Sequence, residues 1–177
     1  MSETPPSLVG LTTYLLSKTG KAARSRLAAR VAERDLRLWH MAVLSALVDF
    51  GPHVQRELAS RLGIDRSDMV KIVDDLAVAG LVDRARDTTD RRRVTITPTR
   101  AGRAMLADLQ AEALAVQREL LAPLTGPEQA QLAALLRRVH AHVHEGARRT
   151  AVRSLSDSPS PVRQTFPGDH SRGSAAS

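Results

Sequence analysis

The chain has 177 residues, enough for one full domain or two small units sharing a core. Its 26 Lys and Arg against 19 Asp and Glu give a formal charge of +7 and a pI near 11.1, an excess that favours polyanionic partners, nucleic acid first. Cysteine is absent, which excludes disulfides, thiol redox sensing, Cys-based zinc sites and Cys nucleophiles.

No apolar run approaches the roughly 20 residues that a spanning helix requires. The start, MSETPPSLVG, has neither a basic region nor an apolar signal segment, so no membrane partner and a cytoplasmic location are expected. Leu8 to about Val31 reads as a long helix with Leu8, Leu11, Leu15, Ala22 and Leu27 on one stripe and Lys18, Lys21, Arg24, Arg26 and Arg30 on the rest. A second helix is predicted from Leu36 to Phe50, its stripe made by Leu36, Trp39, Val43, Leu47 and Phe50. Gly51-Pro52 stops it. A short helix over 54–62 ends at Gly63, and another over 65–79 ends at Gly80. The segments 81–86 and 93–97 alternate apolar and polar residues as the strands of a hairpin do, around the turn DTTD. Thr99 can cap a helix from Arg100 to Leu121, and Gly126-Pro127 opens a last one reaching about Arg149. Beyond Leu155 the chain is rich in Ser, Pro and Gly, a composition expected to stay disordered.

The fold class that follows is mainly α (α+β). Residues 36–99 form a winged helix-turn-helix lobe, and residues 1–35 and 100–150 supply a helical dimerisation region. Residues 151–177 are a tail. Two amphipathic helices at the end, with Leu106, Leu109, Ala113, Val116 and Leu120 on one and Leu132, Leu135, Leu136, Val139 and Val143 on the other, hold more apolar surface than a small central lobe can cover.

The stretch from Glu57 to Gly102 carries the chemistry. Gly63 supplies the positive φ of a tight helix-helix turn, Ala59 lets the helices approach, and Asp65 is an N-cap with Asp68 three residues on, as in a capping box. At a 100° step Met69, Ile72, Val73 and Leu76 share one side of the following helix. Ser67 and Lys71 lie opposite, flanked by Arg66 and Val70. A helix in a major groove presents such side chains near its N-terminus: a hydroxyl or an ammonium for base edges and phosphates, and an aliphatic group for a thymine methyl. Asp74 and Asp75 are acids on the exposed side, placed towards the end expected to leave the groove. The hairpin then brings Arg84, Arg86, Arg91, Arg92 and Arg93 together, interrupted by Asp87 and Asp90. Fixed charges at that density repel one another unless a polyanion lies alongside, and a narrow minor groove attracts guanidinium groups. Asp90 cannot bind phosphate and is expected to orient an arginine, with Arg84, Arg91 and Arg92 the candidates.

This order of parts resembles the multiple antibiotic resistance regulator (MarR) family over about residues 8 to 148. The resemblance rests on LASRLGIDRS, DDLAVAGLV, DTTDRR and TRAG. It implies a homodimeric transcription factor on double-stranded DNA, with a recognition helix at 65–79 and Arg92 of the Asp90-x-Arg92 pattern entering the minor groove. The family's Thr-x-x-Gly start falls on Thr99 and Gly102. Asp68 and Pro98 depart from the pattern; Pro98 removes a backbone donor and is expected to shorten the hairpin. The resemblance also implies a small aromatic or anionic effector in a cleft bordered by Tyr14, Trp39 and His40, and a ligand-responsive repressor on a pseudo-palindromic operator.

No cofactor or metal is expected. His140 and His144 share a helical face while His142 points elsewhere, and two imidazoles make a weak metal site. With no nucleophile motif, phosphate loop or His-Glu signature, an enzyme is not expected either. The alternative is a winged-helix protein–protein module without DNA binding.

Overall fold

The computed structural model describes residues 4–86 and 94–156, with side chains described up to residue 145. Two compact units divide between Pro123 and Leu124. The first holds α1 (Pro6–Val9), α2 (Thr12–Ala32), α3 (Leu38–Phe50), β1 (His53–Val54), α4 (Gln55–Leu62), α5 (Arg66–Val78), β2 (Val82–Arg86), β3 (Val94–Pro98) and α6 (Arg100–Leu121). The second holds α7 (Gly126–Ser156), opened by Thr125, whose amide and hydroxyl both donate to the Glu128 carboxylate at 2.7 Å. These two bonds hold that carboxyl below the usual carboxylate range.

Four sequence expectations change. The first helix is broken: α1 is one turn, Gly10 follows it, and Leu11 is extended (φ −93°, ψ 113°) before α2 begins. Glycine is a poor helix interior, and the apolar pattern on either side hides the break. Val54 belongs to a strand. The two-residue β1 pairs antiparallel with β3 (His53 with Ile96), giving the sheet order β1-β3-β2; two residues are too few to show a period. The hairpin is not shortened at Pro98, which pairs with Val82. The missing donor is tolerated because β1 starts opposite Ile96 and never reaches Pro98. Finally, α7 runs through Ser156, past the proposed boundary at 150, because no Gly or Pro interrupts 147–156.

The core of the first unit is shared by every layer. Leu44 and Leu47 of α3, Leu58 of α4, Met69, Val73 and Leu76 of α5, Ile96 of β3 and Leu109 of α6 are all sealed from solvent. Each fully buried aliphatic of this kind stabilises by about 1.5–3 kcal/mol. Helix α6 lies against α2 and α3. Arg30 and Arg34 on and just after α2 pair with Glu112 and Glu119 of α6 at 3.1–3.9 Å. The α2 stripe is buried only towards its C-terminal end, at Val31, whereas Leu11 and Leu15 are exposed.

Candidate nucleic-acid interface

The turn between α4 and α5 is built as its residue types require. Leu58 and Ala59 are buried, Gly63 takes the left-handed conformation (φ 64°, ψ 32°), and the Ile64 amide donates to the Ala59 carbonyl at 3.0 Å. Asp65 caps α5, accepting from the Ser67 amide at 2.7 Å and from the Ser67 hydroxyl at 2.6 Å. Those two bonds hold the Asp65 carboxyl below its ordinary range. Asp68 sits near Lys71 instead of completing a capping box, with 3.6 Å between the charges.

Helix α5 divides sharply. Met69, Ile72, Val73 and Leu76 are sealed, while Arg66, Ser67, Val70 and Lys71 are exposed on the other side. The Ser67 hydrogen is committed to Asp65, so the outward-facing part of that hydroxyl is an acceptor. Beside the turn, Arg56, Glu57, Ser60 and Arg66 line a depression of about 410 Å³, so a second arginine and a glutamate share it with Arg66. Arg56 has no partner in sequence periodicity and was not among the expected contacts.

The two acids at the far end of α5 have structural partners. Asp74 pairs with Arg84 of β2, tying α5 to the hairpin. Asp75 accepts from Arg37 at 2.6 Å and lies 3.2 Å from His40, tying it to the start of α3. Of the hairpin arginines, Arg84 is therefore engaged by Asp74, and Arg86 is exposed at the end of β2. Asp90, Arg91, Arg92 and Arg93 lie outside the described residues.

The TRAG segment locks the hairpin to α6. Thr99 Oγ1 accepts from the Gly102 amide at 2.9 Å and donates to the Gly80 carbonyl at 2.8 Å, while the Thr99 amide donates to the Leu81 carbonyl at 3.1 Å. A side chain at position 102 would place its Cβ 2.0 Å from the Leu81 carbonyl oxygen, so only glycine fits there. Gly80 has φ 69°, which lets the chain leave α5 and enter β2.

The three candidates for an effector site have different surroundings. Trp39 is 43% exposed rather than in the core stripe, and lines a depression of about 340 Å³ with Arg37, Asp68 and Lys71. Tyr14 is on α2, with the Lys18 ammonium 5.4 Å from its ring centre. His40 is 2% exposed, with both ring nitrogens engaged. On α7 the His140 and His144 rings stand 4.1 Å apart, and among the described residues no group of three ligand-type side chains could hold a metal. No helix among those residues is long and apolar enough to cross a membrane.

Known proteins share this arrangement. The model of the MarR family matches residues 34–93, which span α3 to the hairpin. A Thauera aromatica protein named for transcriptional regulation of the hcr operon is 34% identical over 86 residues, 49% of this chain and 52% of that relative. The chain thus spans about half the length of that relative. The transcriptional repressor NicR of Pseudomonas putida is 26% identical over 139 residues, covering 78% of this chain and 88% of NicR. The solved PcaV transcriptional regulator of Streptomyces coelicolor, in complex with its natural ligand, superposes with a TM-score of 0.59 at 30% identity. That match covers 80% of this chain and 98% of PcaV.

Proposed function

We propose that this chain, which belongs to the MarR family of transcriptional regulators, binds double-stranded DNA as a homodimer and acts as a repressor relieved by a small molecule. The observation that carries the reading is the division of α5. Its buried side is sealed into the lobe, its outer side offers Arg66, Ser67, Val70 and Lys71, and a basic hairpin adjoins it. Ser67 accepts from a base-edge donor, Lys71 contacts a base edge or phosphate, Val70 a thymine methyl, and Arg56 the backbone beside the turn. Arg84 positions the wing through Asp74, and Arg86, Arg91, Arg92 and Arg93 meet phosphates and the minor groove, with Asp90 orienting one of them.

The dimer follows from what the single chain leaves open. Leu11 before α2, Leu15 and Leu16 of α2, Leu114 of α6, and Leu135, Leu136, Val139 and Val143 of α7 are all exposed, apolar side chains that a second chain would cover. A two-fold particle built from these helices places two recognition helices about one turn of DNA apart, matching a pseudo-palindrome. The repressor reading draws on the similarity to NicR, and the effector reading on the ligand complex of PcaV. Trp39, with an accessible indole, and Tyr14 are the aromatic side chains that an aromatic or anionic effector would meet; His40 has its polar atoms engaged and a different part. The absence of cysteine leaves no thiol to sense peroxide.

A gel-shift titration with duplex from upstream of the chain's own gene tests the reading. Retarded complexes are expected with the wild type, and a large loss of affinity with Arg92→Ala while the dimer stays folded. Full affinity in Arg92→Ala would remove the wing assignment. A purified protein that captures a protein partner and ignores every duplex would favour the adaptor alternative.

A further inference from the structure

His40 is the sole buried polar side chain among the described residues, and nothing in the DNA-binding scheme above uses it. Its chemistry is fixed by its neighbours. The Arg37 backbone N–H donates to Nδ1 at 3.0 Å, so Nδ1 carries a lone pair and the ring hydrogen is on Nε2. Nε2–H in turn donates to Asp75 Oδ2 at 3.2 Å, and the Arg37 guanidinium donates to the same oxygen at 2.6 Å. The first turn of α3 and the last turns of α5 are thus joined through one carboxylate. One residue earlier, Asp74 holds Arg84 of β2, so the recognition helix is tethered on two sides at the end away from its outward-facing contacts.

We propose that His40 is a positioning residue for the recognition helix: uncharged, its ring bridges the Arg37 N–H at the head of α3 and the Asp75 carboxylate of α5, and a proton on Nδ1 breaks the Arg37 side of that bridge, so acidification weakens DNA binding. The proposal rests on the DNA-binding reading above. The new proton has only Nδ1 to occupy, and there it meets the Arg37 N–H head-on, donor against donor. Burial already lowers the affinity of this ring for a proton; the Asp75 hydrogen bond opposes that, the Arg37 charge adds to it, and the Asp75 charge opposes it. The net direction is downward from 6.5. The neutral ring's contribution is therefore complete above pH 6.5 and is lost as pH falls below it. Arg37 from α3 and Asp75 from α5 are the charged groups facing the ring. Asp74 is turned to Arg84, Arg34 to Glu112, and His53 to the Gly51 carbonyl.

The test measures affinity for the upstream duplex at constant salt between about pH 7.5 and pH 5.5 in the wild type, His40→Asn and Asp75→Asn. Asparagine keeps an acceptor where Nδ1 stands but does not titrate. Wild-type affinity is expected to fall about fivefold or more beyond any fall in His40→Asn. Asp75→Asn removes a negative charge, which by weaker repulsion from DNA would tighten binding; the proposal requires it to weaken binding at neutral pH. Parallel pH profiles, or tighter binding by Asp75→Asn, overturn the proposal. Imidazole nitrogen NMR on the wild type decides if a variant does not fold. A bare Nδ1 at neutral pH that gains its proton only below pH 6.5 supports the proposal, and an Nδ1–H tautomer sinks it. A wild type that binds no duplex at neutral pH fails the DNA reading first, whereas a pH-flat DNA binder fails this proposal alone.

Discussion

Helix α5 seals Met69, Ile72, Val73 and Leu76 inside its own chain, whereas α2 leaves Leu15 and Leu16 facing outward and buries only its C-terminal end. Both are amphipathic by sequence, so periodicity alone does not tell where an apolar face goes. In α5 the small central sheet, α3, α4 and α6 close the core around the helix, and its acids are spent on tethers to α3 and β2. In α2 the ties to α6 are ion pairs at the rim, Arg30 and Arg34 with Glu112 and Glu119, and the leucines have no such closure. The lobe is complete in one chain; the outer helices are where a second chain is expected to matter.

Substitutions break this contrast in order of size. Gly102→Ala forces a Cβ into the Leu81 carbonyl and must push α6 off the hairpin. It is expected to cost about 3 kcal/mol or more, measured by urea unfolding. Leu76→Ala, inside the sealed face, should cost about 2–5 kcal/mol, and a smaller loss would mean the site collapses readily. Lys71→Ala on the outer face leaves stability unchanged but should weaken operator binding by about 1–3 kcal/mol and relax preference at one base pair. Leu15→Ser should change single-chain stability by no more than about 0.5 kcal/mol while shifting sedimentation towards the monomer; an unchanged dimer would move the interface elsewhere. Glu119→Gln, which removes one exposed ion pair, should alter stability by less than about 1 kcal/mol and leave both dimer and DNA affinity unchanged.

How much of this was legible in the sequence follows the same divide. The buried and outward sides of α5, the left-handed glycines 63 and 80, and the Asp65 and Thr99 caps are local properties, and each is where its residue type requires. The partners of Asp74 and Asp75 were not legible, because Arg84 and Arg37 come from other elements at no fixed spacing. The same holds for Gly102, whose motif was visible but whose reason, the Leu81 carbonyl 2.0 Å from any Cβ, needs the packed structure. Trp39 fell on the α3 stripe by periodicity yet stands open beside α5, since that helix's sealed side is narrower than its apolar pattern. Strand β1 escaped notice because its two residues take their meaning from β3.

The most direct test of the central claim is an anisotropy titration of the upstream duplex at several salt concentrations, with stoichiometry from sedimentation. Two chains per duplex are predicted, with log affinity falling linearly as log salt rises, at a slope of about −0.9 for each phosphate contacted. Binding that ignores salt, or no binding to any duplex by a folded dimer, would contradict the account.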